Sequence, residues 1–264
     1  MEQSITSCFL QNNDVSKIKF YGGYFTLMTL VVLVWFLNPL LGLVCFLVLS
    51  AYHFGQSQFA KYSSISQYKA KSLYLTWGVA VTSGLCLFNN QEILNLGAST
   101  HDLSDTLPLF QADLFTWLFL ISSSLFIVII LSIVPEVGLH LMLLECLIFG
   151  LIVLSLYVHF LLIGFSIYFA TLHSWKVLGQ EFQFLQKKIG SFNWYDFVVL
   201  LSPYTFISLL GLAVLLALSF YKIIPMSEPL IVFVTISALT LPHSVVMENF
   251  YKSTTVTENL KNYI

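Results

Sequence analysis

Three short stretches of this chain carry residue types that could do chemistry: AYHFGQSQ at 51–58, TLHSWKVL at 171–178 and TLPHSVVMENFY at 240–251. Each sets one histidine near an end of a long apolar run: His53, His173 and His243. A polar group in hydrocarbon costs about 2 kcal/mol or more unless something receives it, so an intramembrane histidine is a functional hypothesis by default. Taken singly, each is more plainly a packing or interface histidine. Taken together, at one depth on three helices, they read as a metal site. Imidazole suits iron, copper, zinc or nickel, and a site without thiolates and poor in carboxylates leaves iron a good candidate for oxygen chemistry.

The remaining candidates are weaker. His101 lies in an acidic stretch and is expected to be solvated, and His140, beside Pro135 and Glu136, is expected at the membrane interface. His159 falls about four turns from His173 on one straight helix, or at the opposite face if the chain turns between them; either way the two cannot share a metal. Glu248 follows His243 by five residues, roughly 140° around a helix, and is expected to face elsewhere, at the interface. Its other possible role is to hydrogen-bond a histidine of a neighbouring helix. Glu145 stands alone in an apolar run with no role assigned.

The elements that must position these residues follow from composition. Of 264 residues 58% are hydrophobic and only 9% charged, with a mean hydropathy of +0.86. Soluble domains carry about 25% charged residues, so the chain reads as an all-α, polytopic transmembrane helix bundle. Eleven lysines, no arginine and thirteen acids give a net charge of −2, which leaves no electrostatic footprint for nucleic acid. The four cysteines (Cys8, Cys45, Cys86, Cys146) are scattered, with no CxxC pair, and read as small buried hydrophobes. Aromatic residues make up 16%; they serve as packing and lipid-facing material, or as the lining of a tunnel for a long polyene.

The sequence is expected to divide into a polar segment 1–20, read as carrying no cleavable signal peptide, a single transmembrane domain 21–252 and a short polar tail 253–264. Residues 21–54 exceed one bilayer crossing and should break at Asn38-Pro39, giving spans near 22–37 and 40–54. Further spans are expected at 73–88, 114–134, 197–220 and 229–250. The run 138–175 is too long for one straight crossing, and Gly150 or Gly164 could divide it. The total is about eight spans, within a range of six to eight. Lysine placement puts 17–19, 61–71, 176–188 and 252–261 on the cytoplasmic side, with Lys222 the exception, provided that 138–175 crosses twice. The acidic stretch 89–113 then lies outside, and the three histidines fall in the inner part of the bilayer.

In that order and spacing, the steps His53-Phe54-Gly55, His173-Ser174 and Pro242-His243 resemble the Brp/Blh family of integral-membrane β-carotene 15,15′-dioxygenases, over about residues 40–255. The resemblance implies cleavage of the central double bond of β-carotene by O2 using Fe(II), with His53 and His173 as ligands and His243 either a further ligand or a nearby histidine of the pocket, in a multi-pass protein of the inner (cytoplasmic) membrane. The retinal formed would serve a microbial rhodopsin. Two positions depart from the family pattern. No histidine precedes His53, where the family carries one on its first span, so the chain is expected to be truncated or to start at an internal methionine. The HS segment commonly has a second histidine four residues on, where Val177 stands here. A carotenoid- or retinal-binding homologue without catalysis is the alternative reading. A transporter would call for intramembrane charges or an internal repeat, and neither is evident.

Overall fold

A computed structural model describes residues 14–62, 64–111 and 113–261. Among them there are helices and connections but no strands. In chain order the helices are α1 (Asp14–Leu37), α2 (Pro39–Phe59), α3 (Gln67–Phe88), α4 (Asn90–Ala98), α5 (Leu107–Gln111), α6 (Leu114–Ser132), α7 (Val134–Val137), α8 (Leu139–Val158), α9 (Leu161–Ile167), α10 (Trp175–Ile189), α11 (Trp194–Phe220) and α12 (Glu228–Lys261). A 3₁₀ turn, His101–Thr106, joins α4 to α5, and a π-helical segment, Tyr168–Ser174, joins α9 to α10.

Among the described residues seven helices are long and apolar enough to cross a membrane: 18–37 of α1, α2, α6, α8, the continuous 161–187 helix, α11 and 228–248 of α12. Helix α3 is the eighth long one. It is less apolar because protein surrounds it rather than lipid, packed between α2 and α6 with Leu73, Trp77, Ala80 and Val81 all buried. The all-α polytopic bundle expected from composition is the architecture found. Helix begins at Asp14, inside the segment read as polar, and residues 1–13 lie outside the described residues. The stretch read as a tail is helical as far as Lys261, with 262–264 outside the described residues.

The Asn38-Pro39 break forms as expected. The Asn38 side chain accepts from the Leu41 N–H at 2.9 Å, and Pro39, which has no N–H to leave unpaired, opens α2. The second long run also crosses twice, but neither Gly150 nor Gly164 divides it. The backbone turns at His159-Phe160, both in extended conformations. Gly164 instead lets α9 pack back on α8, its Cβ position 3.5 Å from the Leu156 Cα. At this end the acidic stretch is folded rather than a solvated loop. Glu92 accepts from the Leu161 N–H at 2.7 Å, and Asp102 accepts from the Ser227 N–H and hydroxyl, each at 2.7 Å. These carboxylates sit where α9 and α12 begin, satisfying free N–H groups and opposing the positive end of the helix dipole.

Candidate metal centre

The last two turns of α2 are buried almost throughout, although they spell His53-Phe54-Gly55-Gln56-Ser57-Gln58. A run so polar stays inside only if other helices receive its side chains. Gly55 makes this possible by letting α2 approach α3 at backbone distance, its Cβ position 1.9 Å from the Tyr74 carbonyl oxygen. His173 lies near the end of the π-helical segment. Such turns insert one extra residue per turn, reset the direction of the side chains that follow and gather at functional sites. His243 follows Pro242 inside α12, where the proline removes one helical hydrogen bond.

These three elements bring the three histidines together. The His53 ring centroid is 5.1 Å from that of His173 and 5.3 Å from that of His243. His53 is 1% exposed, and neither of its ring nitrogens has a hydrogen-bond partner. Buried polar atoms are paired in the great majority of cases, so two orphans on one ring point to a missing partner. Two imidazoles sharing one metal at ~2.1 Å have centroids roughly 5 Å apart, which is the spacing seen on both sides of His53. Donor type, burial and the two ring spacings about His53 are those a metal ion would call for. Among the described residues no three His, Cys, Asp or Glu side chains are so placed that they could hold a metal ion together as they stand; what stands there is a histidine cluster centred on His53.

Proton placement on His173 follows from its neighbour. The Ser57 hydroxyl donates its single proton to the Phe54 carbonyl at 2.8 Å, and its oxygen lies 3.0 Å from His173 Nδ1. With that proton committed, Nδ1–H must be the donor to Ser57, leaving the lone pair on Nε2. Phe54 and Phe169 flank the ring, with centroids at 4.8 and 5.2 Å. His101 and His140 are exposed, and His159 stands at the far turn of the α8–α9 hairpin, so none joins the cluster.

Glu248 corrects the expectation that it faces away at the interface. Its carboxylate accepts from the Gln56 amide, tying α12 to α2 one turn beyond His53. Glu145 is not isolated either. At 1% exposure it accepts from Lys61 Nζ and Tyr62 Oη, each at 2.8 Å, and from Gln58 Nε2. Lys176 donates to the Gln58 backbone oxygen at 2.8 Å and to its Oε1 at 2.9 Å. This network clamps the histidine-bearing end of α2 and the start of α10, just after His173, onto α8. Burial, and then the bond to Glu145, hold the Tyr62 hydroxyl above its ordinary ionisation range, so it remains a donor. Replacing Glu145 by Gln leaves Lys61 and Lys176 without their counter-charge. Lys61 is 42% exposed and partly solvated, so the expected loss is on the order of 2 kcal/mol rather than that of a fully buried pair. Thermal unfolding of the detergent-solubilised protein should show it as a midpoint lowered by about 5 °C.

Fold and site together define a multi-pass membrane protein with a histidine cluster enclosed between its helices. A profile of the β-carotene 15,15′-dioxygenase family matches residues 7–251. The chain belongs to that family. No curated protein and no solved structure is significantly similar to it.

Proposed function

We propose that the chain cleaves the central 15,15′ double bond of β-carotene with O2, giving two molecules of retinal, and that His53, His173 and His243 hold the Fe(II) the reaction uses. The double bond breaks and each oxygen atom ends on one of the two aldehydes. The observation that carries the metal reading is the buried, doubly unpartnered His53 between two other imidazoles. Fe(II) bound by nitrogen donors supplies the one-electron chemistry by which O2 reacts with an alkene.

The chain's own residues do the rest. Ser57 fixes the His173 tautomer and ring direction, so that Nε2 offers its lone pair. Gln56 and Glu248 hold α12, and with it His243, against α2. Phe54, Phe169 and Tyr168 exclude water from one side of the cluster. A substrate dissolved in lipid explains why such a site is built inside a membrane bundle. The cytoplasmic membrane, and a retinal-using rhodopsin as consumer of the product, complete the reading.

The test is pigment extraction from a β-carotene-producing bacterial strain that expresses the chain. Orange colour should fade with about two retinals formed per β-carotene lost, as the balance of the reaction requires. Retained β-carotene without retinal, in cells where the protein is inserted, would favour a non-catalytic carotenoid-binding homologue. One observation supports that second reading. Val177, one turn from His173, is buried against Met247 and supplies no donor where the family commonly places one.

A further inference from the structure

Beside the histidine cluster lies a cavity of about 120 Å³ between α1, α2 and α12. Leu30, Val31, Val34, Phe46, Leu49 and Leu241 make most of its wall apolar. Ser50 on α2 and Thr240 on α12 also line it, and they stand one turn before His53 and His243 respectively. The near end of the cavity therefore lies one helical turn from the cluster, with no histidine in its wall. Its far end is set by Gly42, eleven residues before His53 on the same helix, or about 16 Å along the axis. The Trp35 ring is seated on Gly42, so close that a Cβ there would meet Trp35 Cδ2 at 2.6 Å. Phe233 stacks behind Trp35, with centroids 6.3 Å apart and planes at 15°. Leu30 and Leu49 on the wall are 55% and 39% exposed, so the side of the cavity opens toward lipid.

Resting on the cleavage reading above, we infer that this cavity seats the ring end of one arm of β-carotene, the polyene running along its open flank toward the histidine cluster, and that Trp35, seated on Gly42, is the stop that fixes which double bond reaches the cluster. An apolar cavity takes an apolar guest, and the distance from cluster to stop is comparable to the half-length of the extended polyene. The ring at the end of the arm abuts the indole, and the central bond then lies at the cluster. The open flank admits the arm sideways from the bilayer. Moving the stop must therefore move the cut. A polyene that slides deeper is cut off centre, with one oxygen atom of O2 on each new aldehyde as before, giving one shorter and one longer apocarotenal in place of two retinals.

The experiment compares wild type, Trp35→Ala and Gly42→Ala as full-length, iron-loaded protein in detergent with β-carotene and O2, resolving products by chromatography. Trp35→Ala should raise the ratio of unequal apocarotenals to retinal about tenfold or more, the scale on which apolar pockets discriminate. Gly42→Ala pushes the indole into the cavity and should weaken β-carotene binding to the iron-free protein about tenfold, read by carotenoid absorbance titration. The double variant should recover that binding. Retinal alone from an active Trp35→Ala, or wild-type binding by Gly42→Ala, overturns the stop. A wild-type chain that makes no retinal sinks the cleavage reading and leaves the binding titration to decide the cavity by itself.

Discussion

Replacing His53 by leucine is expected to bring retinal formation to background while leaving the iron-free protein at least as heat-stable as wild type. The two halves of this expectation rest on one observation. His53 is 1% exposed with both ring nitrogens unpartnered. Each buried polar atom without a partner carries a desolvation penalty of about 1–3 kcal/mol, and an apolar residue of similar size removes it. A residue kept for packing would show the reverse, with stability lost and activity following it down. Residues that merely orient metal ligands cost about 10–100-fold when removed, so loss of a ligand central to the cluster should exceed a hundredfold. Two measurements on the same preparation decide it: retinal per mole of protein after iron loading, and the unfolding midpoint in chelator. Retained retinal formation by His53→Leu would remove the metal role of this residue. A large drop in the chelator midpoint would make His53 a structural residue.

The same observation explains what was legible beforehand and what was not. Depth along each apolar run placed His53, His173 and His243 at one level, because helix rise converts residue number into depth. It could not say that α2, the π-helical segment and α12 are neighbours, since neighbourhood is set by long-range packing. Nor could it foresee the π-helical segment, which has no sequence signature in Tyr168–Ser174 and changes the direction in which His173 projects. The hairpin turn at His159-Phe160 escaped for a related reason. Neither residue is a turn former, and the backbone there is held by Glu92 from the first turn of α4 rather than by local chemistry. Glu248 and Glu145 were misread because each was weighed against its own helix alone. The signal that could have found the network was present. Gln56 and Gln58 lie in the first histidine stretch and Lys176 in the second, and polar side chains in apolar helices must meet partners from elsewhere.

Alanine at Gly55 or Gly78 is expected to do the most damage to the fold itself. The two glycines are reciprocal across one helix pair. A Cβ at Gly55 would lie 1.9 Å from the Tyr74 carbonyl oxygen, and one at Gly78 would lie 1.7 Å from the Ala51 carbonyl oxygen. Ala51 and Gly55, four apart on α2, have the small-residue spacing that lets membrane helices approach at backbone distance, and they meet the α3 backbone at Gly78 and Tyr74. Both obstacles are backbone, so no side chain can swing aside. The helices would have to separate by about 1 Å or more, opening the core that Phe54, Phe59, Leu73 and Trp77 share. Overpacking of this kind costs about 1–3 kcal/mol, and more where the backbone cannot shift. Because His53 and Gln58 flank Gly55, the same movement would pull α2 away from His173 and Glu145. The expected result is a lower yield of monodisperse protein in detergent, a lowered unfolding midpoint and little retinal, for both variants. Gly150→Ala and Gly211→Ala serve as controls, since nothing lies within 4 Å of a Cβ at either position. Wild-type midpoint and retinal output from Gly78→Ala would mean that α2 and α3 do not meet at this distance. The contrast with His53→Leu separates the two kinds of residue in the His-Phe-Gly step: removing the histidine should cost chemistry and spare the fold, and filling the glycine should cost both.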